Sequence, residues 1–233
     1  MSAHSASHPR GWLSALVAQV SDYVFEPLEE TVETDPLPLQ PQPVIAIVSA
    51  ASKSGATTVA RMLAAELASR GDGAAVVTSA TAARRSAPPS RAAIRLASAL
   101  TGVTAVQPCG RLCIARASEI ARIVNAARYL APVVLDLPAD GSAAGVATLA
   151  DRVAVVAPAT AEPPLVDAVA AVVGGDPLKV VNRVVDRAIW ASRTDIQLPD
   201  SRIAARAAAM GTRPLGPLGT AIAELADALE GPR

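Results

Sequence analysis

Residues 50–58 read Ala-Ala-Ser-Lys-Ser-Gly-Ala-Thr-Thr and follow directly on the apolar run Val44–Ser49. After them comes the alanine-rich stretch VARMLAAELASRG, whose last residue, Gly71, is a helix stop. A strand, a loop of small residues and a helix beginning at Gly55-Ala56-Thr57-Thr58 make a setting in which a phosphate can bind. Backbone N–H groups are free at a helix N-terminus, small side chains let the backbone approach, and hydroxyls can meet an oxygen or a Mg²⁺ ion. The candidate cradle is Ser52, Lys53, Ser54, Gly55, Ala56, Thr57 and Thr58. The full pattern G-x4-G-K-[ST] is not met: Ala50 stands for its first glycine and Ala56 for its lysine. An ordinary strand–turn–helix is the alternative reading.

A second oxygen ligand is on offer at Asp136, which closes the apolar run PVVLDLP. A carboxylate at the C-terminal end of a central parallel strand lies beside such a loop and can hold a Mg²⁺ water. Capping the next turn is its other possible duty. Lys53 is the one cation in the loop. It either folds over a phosphate as a substitute for the lysine, or reaches a partner subunit, or is a solvated loop residue. Cys109 and Cys113, with His4 and His8, include too few well-placed ligands for zinc. Arg84, Arg85, Arg91 and Arg95 form a basic cluster near Pro88-Pro89. No aromatic platform accompanies it, so a solvated face is expected rather than a nucleic-acid site.

These residues must be positioned by the elements around them. Apolar runs at 44–50, 74–79, 110–115, 132–138, 151–158 and 178–184 read as strands. Helical patterns lie between and after them, at 57–71, 90–101, 117–130, 163–173, 201–210 and 220–230. Such alternation predicts an α/β fold: a doubly wound, mostly parallel sheet with helices on both faces and right-handed crossovers. Composition agrees. The chain is 51% hydrophobic but only 2% aromatic, so its core is built of Ala, Val, Leu and Ile.

The first 43 residues differ from the rest. They carry a net charge of −5 within a chain of formal net charge zero. Residues 1–10 are expected to be a disordered tail. Residues 11–30 form an amphipathic helix, with Trp12, Leu13, Leu16, Val17, Val20, Tyr23 and Val24 on one stripe. Residues 31–43 are a Pro-rich linker, and 44–233 the α/β domain. An acidic amphipathic helix is repelled by anionic lipid, so its expected role is docking into a protein groove, or packing on its own domain. No apolar run is long enough to span a membrane, no signal-peptide features flank Trp12–Val20, and two cysteines make no disulfide framework. A cytoplasmic protein without membrane insertion or nucleic-acid binding is expected.

The loop resembles that of the ParA/MinD ATPases, which reads roughly GKGGVGKTT. On Thr57-Thr58, Ala51 falls at that family's signature lysine and Ala56 at the usual loop lysine. The GATT ending is similar to the atypical loops of the pilus-assembly proteins TadZ and CpaE. The likeness runs over about residues 43–230, through APVVLDLPADGSAAGVATLADRVAVVAPATAEPP, VVNRV and LPDSRIAARAAAMGTRPL. It implies ATP as the ligand, Mg²⁺ held by Thr57 and Asp136, and Asn182 against adenine, unless Asn182 only makes a turn. It also implies a possible homodimer. In that family an Asp near Val77-Thr78-Ser79 orients the attacking water, and none is present here. Phosphoryl transfer depends on placed positive charge and an oriented nucleophile, and both lysines and this Asp are missing. The resemblance thus points to a pseudo-ATPase acting as a localisation or assembly switch, in pilus-type machinery. The alternative is a nucleotide-free scaffold or dimerisation protein, and the third reading is a weak ATPase using Lys53.

Overall fold

In the computed structural model the described residues are 40–78, 87–116, 119–138, 140, 142–185 and 194–231. The amphipathic segment 11–30, Arg84, Arg85 and most of the expected linker lie outside them. The strands are β1 (Val44–Ser49), β2 (Ala74–Thr78), β3 (Val106–Cys109), β4 (Leu112–Arg116), β5 (Val133–Leu137), β6 (Arg152–Pro158), β7 (Leu178–Val184) and β8 (Ile196–Pro199). They form one sheet in the order β3-β4-β2-β5-β1-β6-β7-β8. Every pairing is parallel except the β3–β4 hairpin. The helices are α1 (Ala56–Arg70), α2 (Arg91–Leu100), α3 (Ile120–Ala127), α4 (Ser142–Ala147), α5 (Pro163–Val173), α6 (Arg202–Ala209) and α7 (Gly216–Glu230).

Alternation along the strands divides the core in two. On β1, Ile45 and Ile47 pack with α1, α6 and α7. Val44, Ala46 and Val48 face the other way, onto α2, α3, α4 and α5. Both faces are therefore covered, which is why the central strands read as unbroken apolar runs. Helix α1 is the most enclosed of the described helices, with eleven of its fifteen residues buried. Ala60, Ala64, Ala65 and Ala68 let it sit close to the sheet and its neighbours. Two charged side chains are enclosed with it. Glu66 accepts a hydrogen bond from Arg70 Nε at 3.2 Å, and Arg70 reaches Asp227 and Glu230 of α7 at 2.6 Å each. Arg213 Nε lies 2.6 Å from Glu66 Oε2, an ionic contact whose angle is not that of a hydrogen bond. This cluster ties α1 to the C-terminal helix.

Three elements depart from the sequence-based expectation. The strand expected at 110–115 is the second arm of a hairpin, and the first arm, β3, contains Pro108. The four-residue β8 ends at Pro199. Proline, having no N–H to donate, is tolerated on strands at a sheet margin, and both of these lie there. The third is α4, SAAGVA, too short and too interrupted by Gly145 to announce a helix, and carried by burial of Ala143 and Ala147. Cys109 and Cys113 are free and buried on opposite faces of the sheet, so they cannot share a metal ion. Burial pushes the Cys113 thiol up to about 12.

The hairpin turn meets the end of α6 backbone to backbone. Gly211 takes φ +63 past the helix C-terminus, and a Cβ there would lie 2.4 Å from the Cys109 carbonyl oxygen. Gly211→Ala should therefore destabilise the fold by about 2 kcal/mol or more, from left-handed strain plus a backbone clash. Gly145 sits exposed inside α4 with nothing near its missing Cβ. Gly145→Ala should instead stabilise by about 0.5–1 kcal/mol. Opposite shifts of the urea midpoint check the pair.

Candidate functional site

The loop between β1 and α1 is shaped by its own short hydrogen bonds. Ser49 Oγ donates to the Ala51 carbonyl at 2.7 Å and lies 2.8 Å from Ser54 Oγ. Ser54 Oγ in turn accepts the Ala56 N–H at 3.2 Å. Gly55, at φ +84, is the residue before α1 and gives the helix no side-chain cap. The first helical hydrogen bond runs from Val59 N–H to Gly55 O at 3.0 Å. The N–H groups of Thr57 and Thr58 precede it and meet no acceptor among the described residues. A helix N-terminus with unpaired donors thus opens at the C-terminal end of β1.

It opens into a cleft of about 540 Å³ lined by Ser52, Lys53, Ser54, Gly55, Ala56 and Thr57 from the loop. Asp136 and Asp140 complete the wall from the β5 side, and Arg183 from the end of β7. The cleft lies at strand C-termini, on either side of which the chain winds outwards from β1, as ligand crevices of open parallel sheets do. A second hollow of about 330 Å³, lined by residues such as Asp151, Arg152 and Asp176, lies at the other end of the sheet. It brings no loop donors together. The missing lysine is a shallow wall: Ala56 is 4% exposed. Lys53 adopts φ +62, and its exposed side chain borders the cleft.

Asp136 is the floor of the site and is 6% exposed. Register places it beside Thr78 of β2, whose hydroxyl donates to Asp136 Oδ2 at 2.6 Å. Thr57 Oγ1 donates to Oδ1 at 3.2 Å. Burial raises the carboxyl above its ordinary value, opposed by these hydroxyls and by the positive charge of Arg61. Arg61 stands one turn along α1 from Thr57, buried, and its Nε has no hydrogen-bond partner among the described residues. Asp140 is fully exposed and caps α4: its carboxylate accepts from the Ser142 hydroxyl and from the Ser142 N–H. The Ser142 hydroxyl, then the backbone, hold Asp140 below the usual carboxylate range.

The structure thus brings together Ser52, Lys53, Ser54, Gly55, Ala56, Thr57 and Asp136. Thr58 does not line the cleft. Asn182, expected to present an amide edge to a base, is buried and turned to the loop. Its Nδ2 donates to the Ser54 carbonyl at 2.9 Å and its Oδ1 accepts the Arg183 N–H at 3.0 Å. A Cβ on Gly55 would come within 2.3 Å of that Nδ2, so the glycine is required for the contact. Thr78, Arg61 and Arg183 were not anticipated as site residues. Only Thr78 had a signal in the sequence, since it and Asp136 both end neighbouring parallel strands.

The oxygen pair of Thr57 and Asp136 is suited to a hard cation that keeps waters and phosphate oxygens as its remaining ligands. Among the described residues no cluster of three or more His, Cys, Asp or Glu side chains could hold a metal by itself. Nor is any helix among them long and apolar enough to cross a membrane.

No protein-family model matches the chain, and no curated protein matches it. Solved structures do. The ParA family ATPase from Chlorobium tepidum TLS superposes with a TM-score of 0.56 at 15% identity, over 80% of this chain and 98% of that one. MinD of Aquifex aeolicus, in the MinC:MinD cell division complex, gives 0.56 at 16% identity, over 82% and 97%. The septum site-determining protein MinD from Pyrococcus horikoshii OT3, complexed with Mg-ADP, gives 0.54 at 18% identity, over 79% and 94%. The sheet and its helices thus have the fold of the ParA/MinD P-loop ATPases.

The environment of Asp136 has a measurable consequence for the ligand-free protein. Its folded pKa lies above the unfolded value, so folding favours the protonated form. The stability associated with it is complete below the unfolded value and is lost as pH rises through the folded one. Asp136→Asn should accordingly melt at a higher temperature than the parent at about pH 7–8. The difference should shrink as pH falls towards about 4. Melting curves across that range check it.

Proposed function

We propose that this chain is a cytoplasmic ParA/MinD-like nucleotide-binding pseudo-ATPase that acts as a localisation or assembly switch. The observation that carries the reading is the loop itself. Its helix N-terminus opens at the cleft with the unpaired N–H of Thr57 in the wall and that of Thr58 one residue behind it, while a buried methyl group stands at Ala56 where the charge would be. Phosphates would be held by these donors and the helix dipole. Thr57 and Asp136 would hold Mg²⁺, whose contribution is charge neutralisation between phosphate oxygens. A nucleotide and Mg²⁺ accord with the Mg-ADP complex of the Pyrococcus protein, and a protein partner with the MinC complex of the Aquifex protein. The partner would engage the amphipathic segment 11–30. A homodimer and a role in pilus-type machinery belong to the same proposal, the latter on the GATT resemblance.

Hydrolysis is not supported by the groups around the cleft. Thr78 stands at the end of β2 and its hydroxyl is engaged by Asp136, so no carboxylate from that strand end orients a water. A scaffold reading without nucleotide is favoured by one observation: the positive charge of Arg61, buried behind the site, already favours the ionised form of Asp136 in the absence of a metal ion.

Steady-state ATP turnover should be indistinguishable from buffer, and Ala56→Lys should strengthen ATP binding. Ligand in hundredfold excess over Kd would stabilise the fold by about 2.7 kcal/mol, roughly 5–10 °C for a chain of this size. Without lysine charge, millimolar Mg·ATP should give a smaller but measurable rise, and Thr57→Val should remove it without unfolding the protein. No shift at about 5–10 mM Mg·ATP would replace this reading with the scaffold. Deletion of residues 1–42 should leave the melting temperature of the α/β domain nearly unchanged. A large loss would instead place Trp12, Leu16 and Val20 in that domain's own core.

A further inference from the structure

The end of β7 breaks its own pattern, and the break delivers a cation to the cleft. Along LKVVNRV, Val180 packs on the α1 face of the sheet and Val181 on the opposite face. Asn182 returns to the α1 side, where it meets the loop. Strict alternation would then put Arg183 beside Val181, against α2–α5, and Val184 back towards α1. The structure does otherwise: Val184 packs on the Val181 face. The pairing with β8 runs in register through Asn182 opposite Leu198, then skips to Val184 opposite Pro199. Arg183 is the extra residue of this bulge, at φ +63.

A bulge re-aims a side chain, and here the side chain is, among the described residues, the only arginine lining the cleft. Its Nη2 comes within 3.7 Å of the point where a Cβ of Gly55 would stand. No carboxylate pairs with the guanidinium among the described residues. Asn182 links it to the loop, receiving the Arg183 N–H on one side of its amide and donating to Ser54 O from the other. A non-glycine residue held at positive φ carries local strain, and strain at a cleft directs attention to what the exposed side chain can reach.

We propose that Arg183 supplies the positive charge that position 56 of the phosphate loop lacks, clamping the polyphosphate of a nucleoside di- or triphosphate from the β7 side of the cleft. A planar guanidinium can take two phosphate oxygens at once, which a point charge cannot. The proposal rests on the nucleotide reading above, and its test separates the two.

Full-length protein is titrated calorimetrically with Mg·ATP as wild type, Arg183→Gln, Arg183→Lys and Arg183→Gly. The expected result is measurable wild-type affinity, an affinity at least about tenfold weaker for Arg183→Gln, and partial recovery in Arg183→Lys. Arg183→Gly should lose affinity likewise while melting higher than wild type, because glycine relieves the positive φ. Adding Ala56→Lys to Arg183→Gln should restore binding, since the charge then comes from the loop. If wild type binds and Arg183→Gln binds within about twofold of it, the clamp is wrong and the nucleotide reading stands. If wild type itself does not bind, both fall.

Discussion

Everything at the cleft depends on α1 being unable to move. The helix is enclosed by the sheet on one side and by α6 and α7 on the other, and its alanines allow that close approach. The Glu66–Arg70–Asp227 cluster fixes its far end to α7. Its near end is fixed by Thr57 on Asp136 and by the Ser49–Ser54 contact in the loop. First-turn N–H groups held in this way are fixed dipoles that need no reorganisation when an anion arrives. The same enclosure holds the loop in place with Ala56 at its entry to the helix. Packing behind the loop, and not charge within it, sets the position of the donors.

The cations at and behind the cleft come from separate places along the chain. The loop has one cation, Lys53, at its exposed rim. A second, Arg61, is buried one helical turn behind Thr57 and favours the ionised form of Asp136. The third, Arg183, arrives from a strand on the far side of β6. None stands where a loop lysine would. A lysine in the loop touches the phosphates directly and follows them through reaction. Cations behind or across the cleft would neutralise a bound anion from other directions than the loop.

The fold was legible because its signal is repeated. Each central strand is an apolar run and each long helix an amphipathic or alanine-rich one, so no single residue had to be interpreted correctly. The elements that escaped notice were those whose sequence opposes their state: β3 with Pro108, β8 with Pro199 and α4 with Gly145. Their existence is decided by tertiary packing, which local propensity does not register. At the site, contiguity made the difference. Residues 52–57 and the strand-end Asp136 could be read because a loop and a strand terminus are positions along the chain. Arg183 could not, because a bulge is a misfit between β7 and β8 and belongs to neither strand's sequence alone. Asn182 was identified as a site residue, but its amide serves the loop carbonyl of Ser54, a contact that only the three-dimensional neighbourhood of Gly55 reveals.

The margins of the sheet bear on how copies of this protein could come together. At one margin stands β3, four residues long and interrupted by Pro108. At the other stands β8, equally short and ended by Pro199. Neither offers the long row of free donors and acceptors on which another chain could template itself. Among the described residues, growth by continuing the ladder from molecule to molecule is therefore disfavoured at both sides. Contacts between copies through these residues are left to side chains on helices or around the cleft. A contact of that kind can be made and unmade by what the cleft contains, whereas a continued sheet would be permanent.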